Sequence, residues 1–502
     1  MRSYPYTPII AGVFFFFIFI FTKNAWVAED AYINFRSIEQ LYAGNGPTWN
    51  PHERVQVFTS PLWYGLLATG RLFSHNLYEI SLVLSAALTS LLTWMLYLIS
   101  RRQVFSWALT SGLLLASSAF FDFTSSGLEN PLAYLLIALF VYFYQCLFLE
   151  HSSTKNLKLL LTISGLLVLC RLDLLTLILP PMMYALITFR RAFSLREWVQ
   201  SAFICLLPVL LWYSFAFFYY GNIFPNTAYA KLNTGIDKFT LMTQGVEYFL
   251  HTASYDLITI LVLAAGLLIG LANKGYIRFL SLGILLNLLY VINVGGDFMQ
   301  GRFLSFAYMT AVIVIGGYFN QPAIRRIVLL ASVGIYSVMY SHTPINSPFD
   351  YSDGTIHENG IADERGYYFS YTRLASYLEV RDGTHCFIDM DWGERALQPD
   401  QSIAVMRNIG YFGLCEATLQ QIIVDPLAIS DPFLARLPVD PNISWRIGHF
   451  ERAIPEGYIE SIASGTNQLT DPEMHELFDI IKLKTQSPEL LSRDRIVSLF
   501  GF

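Results

Sequence analysis

Long apolar runs separated by short polar loops are the feature that most constrains the fold of this chain. A helix needs about 17–25 predominantly apolar residues to cross the hydrocarbon of a bilayer. With 54% hydrophobic and only 14% charged residues, the chain has the composition of a polytopic α-helical membrane protein. We therefore predict about 11 transmembrane helices. The runs cover residues 7–23, 79–100, 104–121, 130–149, 157–170, 172–189, 199–219, 254–272, 277–294, 303–319 and 326–341.

The basic residues at the ends of these runs predict the orientation. Cytoplasmic loops of membrane proteins carry an excess of Lys and Arg. The basic loops lie on one side only if residues 58–73 do not cross, so we predict a surface helix there, capped by Thr59 or Ser60 with Pro61 in its first turn. The N terminus is then inside, and the loop of residues 24–78 is outside. The basic residues are Arg2, Arg101, Arg102, Lys155, Lys158, Arg190, Arg191, Lys274, Arg278, Arg325 and Arg326.

Charge divides the chain into two parts. Residues 342–502 contain 12 Lys and Arg against 24 Asp and Glu, whereas residues 1–341 contain 20 against 14. The acidic part alternates short apolar runs, "HCFIDM", "SIAVM" and "QIIVD", with Gly, Pro and Asp turns. We predict a transmembrane domain over residues 1–341 and an external α/β domain over residues 342–502.

Ionisable residues gather in the loops that this topology places outside. Any one of them can be a solvated loop residue or half of a structural ion pair, but their coincidence on one membrane face favours a functional site. The cytoplasmic loops hold no glycine-rich phosphate-binding motif, and the chain shows no zinc-ligand spacing. We therefore expect neither a metal nor a cofactor, and an activated group would have to arrive on a lipid.

The order of the external motifs resembles that of a known enzyme family. The segments are "EDAYINFR", "GNGPTWNPHERVQVFTSPLW", "SSGLENPL", "CRLD", "YGNIFPNTAYAK" and "GGDFMQGRF", with "DPLAISDPFLARLP" and "WRIGHFERAIPEGY" in the acidic part. They are similar to the membrane glycosyltransferases of the GT-C class, and more narrowly to the arabinofuranosyltransferases of the AftB type and the related pilin arabinofuranosyltransferase. The resemblance runs from residue 28 to about residue 460. The family's pair of adjacent aspartates is Glu29–Asp30 here, which makes Asp30 the better match.

The resemblance implies transfer of a sugar, D-arabinofuranose in this family, from a polyprenyl-phosphate donor to a pilin or a glycan at the outer face of a bacterial inner membrane. Such a transfer needs a base for the acceptor hydroxyl and cationic groups for the departing phosphate. We predict Asp30 as the base, with Glu29 modulating it or binding a sugar hydroxyl. The phosphate candidates are Arg54, Arg171, Lys231 and Arg302; the candidates for holding the sugar or supporting the site are Glu129, Asp173, Asn226 and Asp297; the acceptor candidates are His449 and Arg452.

Two cysteines complete the sequence-based predictions. Cys386 and Cys415 lie in the domain placed outside, where disulfides persist, so we predict a disulfide between them, the alternative being two separate buried thiols. Two other functions stay open at this point: a flippase or transporter of a lipid-linked sugar, and a non-catalytic envelope assembly protein. The expected partners are the lipid bilayer, the lipid-linked donor and the acceptor, with no nucleic acid.

Overall fold

The structure is a computed structural model that describes residues 7–149, 153–232, 234–318, 323–346, 356–380, 383–387 and 401–500. The chain forms two compact units. The first comprises Met1–Ala28, Asn76–Val209 and Lys238–His385, and the second comprises Glu29–His75, Leu210–Asp237 and Cys386–Phe502. The predicted division at residue 341 concerns position relative to a membrane and stays a prediction.

The first unit consists of helices in its described part. The helix Leu195–Tyr220 begins in this unit and ends in the second. The predicted apolar runs all coincide with helices, because continuous apolar sequence without strand-type alternation favours buried or lipid-facing helix. The helices are Thr7–Asn24, Leu77–Ile99, Val104–Ala116, Ser118–Phe121, Asn130–Leu149, Thr154–Cys170, Leu175–Phe189, Leu195–Tyr220, Lys238–Tyr255, Leu257–Ala272, Tyr276–Asn293, Leu304–Tyr318, Ala323–Met339, Glu364–Thr372 and Leu374–Val380.

Several of these helices have the length and hydropathy of membrane spans. Within the described residues five helices qualify, or up to seven if each of two bent helix pairs is one span. The bent pairs are Val104–Ala116 with Ser118–Thr124, at 86°, and Lys238–Tyr255 with Leu257–Ala272, at 114°. The chain is therefore a polytopic helical membrane protein, and the number of about 11 spans stays a prediction.

Small residues allow the helices of the first unit to approach closely. A Cβ atom added to Gly266 would lie 2.6 Å from the Cβ of Ala311, and one added to Gly283 would lie 2.0 Å from the carbonyl oxygen of Leu177. Neither neighbour can move away easily, because the first belongs to a packed helix and the second is backbone. Close backbone approach at small residues is typical of helix packing in membranes.

The second unit combines helices with a small parallel sheet. Strands Ile403–Val405 and Ile422–Val424 pair in register, Ile403 opposite Ile422 and Val405 opposite Val424. They lie in the apolar runs "SIAVM" and "QIIVD", while residues 388–390 of "HCFIDM" lie outside the described residues. The helices are Glu29–Tyr42, Pro61–Gly70, Asn226–Leu232, Tyr458–Ser464, Pro472–Gln486 and Arg493–Leu499, with a π-helical turn at Phe412–Glu416 and a 3-10 turn at Leu434–Arg436.

The predicted helix between residues 58 and 73 is present as Pro61–Gly70. The Ser60 side chain accepts a hydrogen bond from the Trp63 N–H, at 3.3 Å, and Pro61 occupies the first turn. Ser is a favoured N-cap, and Pro fits the first helical position because its missing N–H has no partner there anyway. Ser60 is thus the cap, rather than Thr59.

The predicted disulfide is present in the second unit. The Cys386 and Cys415 sulfurs are bonded, and their Cα atoms are 5.4 Å apart. Cys415 belongs to the π-helical turn Phe412–Glu416, so the bond ties this turn to the start of the unit's last chain segment. The bond joins residues 29 apart in sequence.

We expect mass analysis of freshly prepared envelope protein, without and with reductant, to show one disulfide between the peptides that hold Cys386 and Cys415. Replacing both cysteines by serine should destabilise the folded protein by about 2–5 kcal/mol, the usual cost of losing a native disulfide. The control is Cys205→Ala, a change at a free thiol. Two free thiols at positions 386 and 415 in unreduced protein would contradict the pairing.

Candidate functional site

Two adjacent carboxylates begin the helix Glu29–Tyr42 of the second unit. Both Glu29 and Asp30 lie in its first turn, and both are partly accessible. Acidic residues are favourable there because the helix dipole places partial positive charge at the N-terminus. The helix then buries Tyr32, Phe35 and Arg36 on its inner face. The first turn is therefore the end of the helix at which carboxylates can stay accessible.

The Glu29 carboxylate binds backbone N–H groups of the residues just before the π-helical turn Phe412–Glu416. Its Oε1 accepts a hydrogen bond from the Tyr411 N–H at 3.1 Å, and the Gly410 N–H also bonds to the carboxylate. Burial, together with the nearby charges of Asp30 and Asp425, raises the pKa of Glu29 to about 8. A Cβ atom at position 410 would lie 2.5 Å from Glu29 Oε1, so the close contact requires glycine there. Glu29 thus carries a proton at neutral pH.

Asp30 differs from its neighbour in its contacts. Within the part of the chain that the structure describes, no group donates a hydrogen bond to its carboxylate, whereas Glu29 is bonded to backbone N–H groups. The accessible carboxylate of Asp30 can therefore accept a proton from a bound molecule, as a general base must.

Arg36 fixes this helix to the disulfide-bonded segment. The side chain is fully buried and donates hydrogen bonds to the carbonyl oxygens of Gly413, Thr418, at 3.2 Å, and Gln421, at 3.0 Å. Burial lowers the pKa of Arg36 to about 9. Since Arg36 follows Asp30 by less than two helical turns, these bonds also position the two carboxylates.

Three further carboxyls of the second unit have raised pKa values and were not predicted as site residues. Burial, with the charge of Asp431, raises the pKa of Glu53 to about 8; burial also raises that of Asp425 to about 7 and that of Asp431 to about 6. The carboxylate of Asp425 accepts hydrogen bonds from backbone N–H groups of residues 427, 429 and 430, and Asp431 accepts one from the Tyr458 hydroxyl at 2.7 Å. Both aspartates precede proline in "DPLAISDPF", which reads as turn sequence rather than as a site.

The other predicted residues of the second unit make mostly backbone contacts. Arg54 donates from Nη2 to the carbonyl oxygen of Ser487 at 2.7 Å, while its buried Nε has no hydrogen-bond partner among the described residues. The Asn226 amide donates to the carbonyl oxygens of residues 428, 429 and 431 and accepts from Arg436 at 3.0 Å. Lys231 lies in the last turn of the helix Asn226–Leu232. Asn226 therefore organises the loop that carries Asp425 and Asp431.

Of the two acceptor candidates, Arg452 is buried and His449 is partly buried. Arg452 donates to the carbonyl oxygens of Leu437, Phe450 and Ala230, the last at 2.6 Å. Burial, with the charges of Arg446 and Lys231, lowers the pKa of His449 to about 3. These contacts favour a structural role for both residues, and we do not include either of them in the proposed site.

The remaining predicted residues form an ion-pair network in the first unit. Arg171 binds Asp173 through two parallel hydrogen bonds, Nε to Oδ1 and Nη2 to Oδ2, both 3.0 Å, and its Nη1 donates to Glu129 Oε1 at 2.5 Å. Its guanidinium carbon lies 4.9 Å from the ring centre of Phe306. The two-fold bond is the geometry that makes Arg–carboxylate pairs strong.

Arg302 joins the same network through Glu129. Its Nη2 donates to Glu129 Oε1 at 3.0 Å, and its Nη1 lies 3.9 Å from Asp297 Oδ2. Although burial opposes ionisation, the guanidinium groups of Arg302 and Arg171 lower the pKa of Glu129. The Nε of Arg302 is buried without a hydrogen-bond partner among the described residues. The Nε of Arg171, by contrast, is bonded to Asp173.

Each unit therefore assembles its own group of the predicted residues. The first unit brings together Glu129, Arg171, Asp173, Asp297 and Arg302, in a network that we call the Arg171 cluster. The second unit contains the remaining ones, with Glu29 and Asp30 at the start of one helix.

Comparison with known proteins gives curated relatives of one kind. The chain is 28% identical to a terminal β-(1→2)-arabinofuranosyltransferase of Mycobacterium tuberculosis, over 72% of this chain and 65% of that protein. It is 29% identical to a terminal β-(1→2)-arabinofuranosyltransferase of Corynebacterium glutamicum, over 61% of this chain and 50% of that protein. The chain thus spans less than two thirds of the length of these relatives. No family model matches the sequence.

Among solved structures the chain is similar to the crystal structure of ArnT from Cupriavidus metallidurans bound to undecaprenyl phosphate. The match has a TM-score of 0.48 and 13% sequence identity, and it covers 74% of this chain and 70% of that one. The sequence matches, by contrast, extend over most of the chain and confirm the resemblance found in the motifs. The chain is related to the terminal β-(1→2)-arabinofuranosyltransferases.

Proposed function

We propose that this protein is a membrane glycosyltransferase that moves a sugar, D-arabinofuranose, from a polyprenyl-phosphate donor to a hydroxyl group of a pilin or glycan. The observation that carries the proposal is the sequence similarity to the two terminal arabinofuranosyltransferases, at 28% and 29% identity. It is supported by the partly accessible Asp30 beside Glu29, whose pKa is raised by burial and by the charges of Asp30 and Asp425.

In the proposed reaction the acceptor oxygen attacks the anomeric carbon of the donor sugar. The new glycosidic bond forms as the bond from that carbon to the phosphate oxygen breaks, and the polyprenyl phosphate leaves. Asp30 takes the proton of the acceptor hydroxyl, a role that contributes about 10²–10⁴-fold in enzymes. Glu29, protonated at neutral pH, can donate a hydrogen bond to a sugar oxygen without adding a second negative charge.

For the departing phosphate, Arg54 is a predicted residue of the second unit, as Asp30 is, that keeps a buried donor. Its Nε–H has no hydrogen-bond partner among the described residues. Guanidinium groups bind phosphate well because the spacing of their N–H donors matches that of two phosphate oxygens.

We propose that the reaction takes place at the outer face of a bacterial inner membrane, with residues 342–502 in the periplasm. The disulfide Cys386–Cys415 supports this location, since disulfides persist in oxidising compartments. The basic loops support the same orientation.

This topology predicts the labelling of two introduced cysteines in intact cells. Cysteine at Ser194, an exposed position in the loop with Arg190 and Arg191, should resist a membrane-impermeant thiol reagent, because that loop is cytoplasmic. Cysteine at Thr470, an exposed position of the second unit, should react. Both should react after the cells are permeabilised. Labelling of position 194 but not of position 470 in intact cells would overturn the proposed orientation.

The proposed function is tested by mass spectrometry of envelope glycans and pili from a deletion strain. We expect one class of molecule to lose a pentose in the deletion strain, and to regain it on complementation with the wild-type gene but not with the Asp30→Asn gene. Unchanged glycans and pili in the deletion strain would contradict the proposal.

A further inference from the structure

The last described segment of the chain carries an apolar surface that faces away from the second unit. Leu491, Val497 and Phe500 have 74%, 64% and 75% of their surfaces exposed. Val497 belongs to the helix Arg493–Leu499, whose opposite side buries Arg495 and Leu499. Large exposed apolar patches on proteins mark sites of contact with other proteins, ligands or membranes. The exposed side of this segment is therefore a candidate contact site.

The buried side of this segment is attached to the end of a candidate membrane span. Arg495 donates from Nη2 to the carbonyl oxygen of Tyr219 at 3.0 Å, and the rings of Phe500 and Phe217 are 5.5 Å apart. A Cβ atom at Gly221 would lie 3.4 Å from a methyl carbon of Leu499. Arg495 thus satisfies a carbonyl group that the end of the helix Leu195–Tyr220 leaves without an intrahelical partner.

The length of the helix Leu195–Tyr220 and the span predicted at residues 199–219 indicate where its C-terminal end lies relative to a bilayer. At 1.5 Å per residue the 26 residues of Leu195–Tyr220 span about 39 Å, more than the roughly 30 Å of hydrocarbon. The predicted span of residues 199–219 ends in its last turn, which Gly221 closes at a φ of +76°, so we expect that turn at the level of the lipid headgroups. Apolar side chains in the second half of this helix are exposed, among them Leu210, Leu211 and Phe218.

We propose that residues 489–500 lie in the headgroup region of the membrane and insert Leu491, Val497 and Phe500 among the acyl chains. The occupant of the exposed face is the lipid surface, because this segment is attached to the end of a candidate membrane span, around which Phe218, Ile223 and Phe224 are also exposed. Arg493 lies four residues before Val497, on the same side of the helix, where a guanidinium group can reach lipid phosphates. The segment also carries the acidic residues Glu489 and Asp494, so the proposed binding rests on its exposed apolar side chains and not on a net positive charge.

The proposal is tested by site-directed spin labelling of the full-length protein in nanodiscs that contain anionic lipid and no other protein. Cysteines are introduced one at a time at Val497, Phe500 and Leu491 in a Cys205→Ala background, without reductant so that the disulfide stays intact. Thr470→Cys, an exposed polar position of the same unit, is the matched control. Power-saturation measurements then compare the accessibility of each label to oxygen, which concentrates in lipid, and to a water-soluble nickel chelate.

We expect the labels at Val497, Phe500 and Leu491 to be more accessible to oxygen than to the nickel chelate, and the label at Thr470 to show the reverse. Leu491 precedes the helix, so its label provides the test even if labels on the helix disturb folding. Equal accessibility to the nickel chelate at all three positions and at Thr470 would overturn the proposal. A face that another protein covers in the cell would also give this result, because the nanodiscs contain no other protein.

Discussion

Replacing Asp30 by asparagine is expected to lower the rate of sugar transfer by about 10²–10⁴-fold, the usual contribution of a general base. Asparagine keeps the size of the side chain and its position at the start of the helix, but it cannot take up the acceptor proton. The variant should therefore insert and fold as the wild type does. The measurement is the initial rate of transfer with a fixed amount of purified protein.

The adjacent Glu29→Gln variant is the matched control. Because the pKa of Glu29 is raised to about 8, its side chain is protonated at neutral pH, and an amide imitates that form. We expect its rate at pH 7 to stay within about tenfold of wild type. A large loss of transfer rate in Glu29→Gln with little loss in Asp30→Asn would mean that Glu29, and not Asp30, is the base.

Glu29 also predicts how stability depends on pH. Its pKa is about 8 in the folded protein against an ordinary value of 4.5, so the folded state binds more protons than the unfolded state between these values. Stability contributed by this group therefore falls as pH rises from 4.5 to 8. Glu29→Gln should remove that part of the pH dependence, which melting curves across this range would detect.

Replacing Arg171 by methionine is expected to destabilise the protein by about 3–5 kcal/mol, the usual cost of breaking a buried ion pair. Within the Arg171 cluster, the change leaves three carboxylates, Glu129, Asp173 and Asp297, beside one guanidinium, that of Arg302. Buried, uncompensated charge is costly in a low-dielectric environment. The measurement is the amount of monodisperse protein that remains in detergent after heating.

Two further variants separate charge balance from lost packing. Adding Asp173→Asn to Arg171→Met removes one uncompensated carboxylate and should recover part of the stability. Asp479→Asn breaks an exposed pair with His475 and should change stability little, since such pairs contribute about 0–1 kcal/mol. A double variant less stable than Arg171→Met alone would contradict this account of the Arg171 cluster.

Much of the helical fold could be predicted from the sequence because apolar length is a local signal. The runs at residues 130–149 and 277–294 match the helices Asn130–Leu149 and Tyr276–Asn293 closely. The helix Lys238–Tyr255 was missed, because Gln244, Glu247 and other polar residues interrupt its apolar pattern.

The site was only partly predictable, because its contacts join distant parts of the sequence. The sequence singled out Glu29 and Asp30 as adjacent carboxylates, but not that the N–H groups of Gly410 and Tyr411 would hold Glu29 and leave Asp30 accessible. Likewise, the sequence marks Arg452 as a charged residue in the middle of the motif "WRIGHFERAIPEGY". Only the structure places its guanidinium group among backbone carbonyls.

The most direct test of the proposed activity is transfer by the purified protein in nanodiscs, with a radiolabelled polyprenyl-phosphate arabinofuranose as donor, a defined glycan or pilin as acceptor and no nucleotide added. The account predicts that label moves to the acceptor with wild-type protein and with Glu29→Gln, and that Asp30→Asn gives about 10²–10⁴-fold less. Sealed liposomes run in parallel detect movement of the intact donor across the bilayer. Movement of the donor without transfer of its sugar would contradict the account and assign the protein to the flippases of lipid-linked sugars.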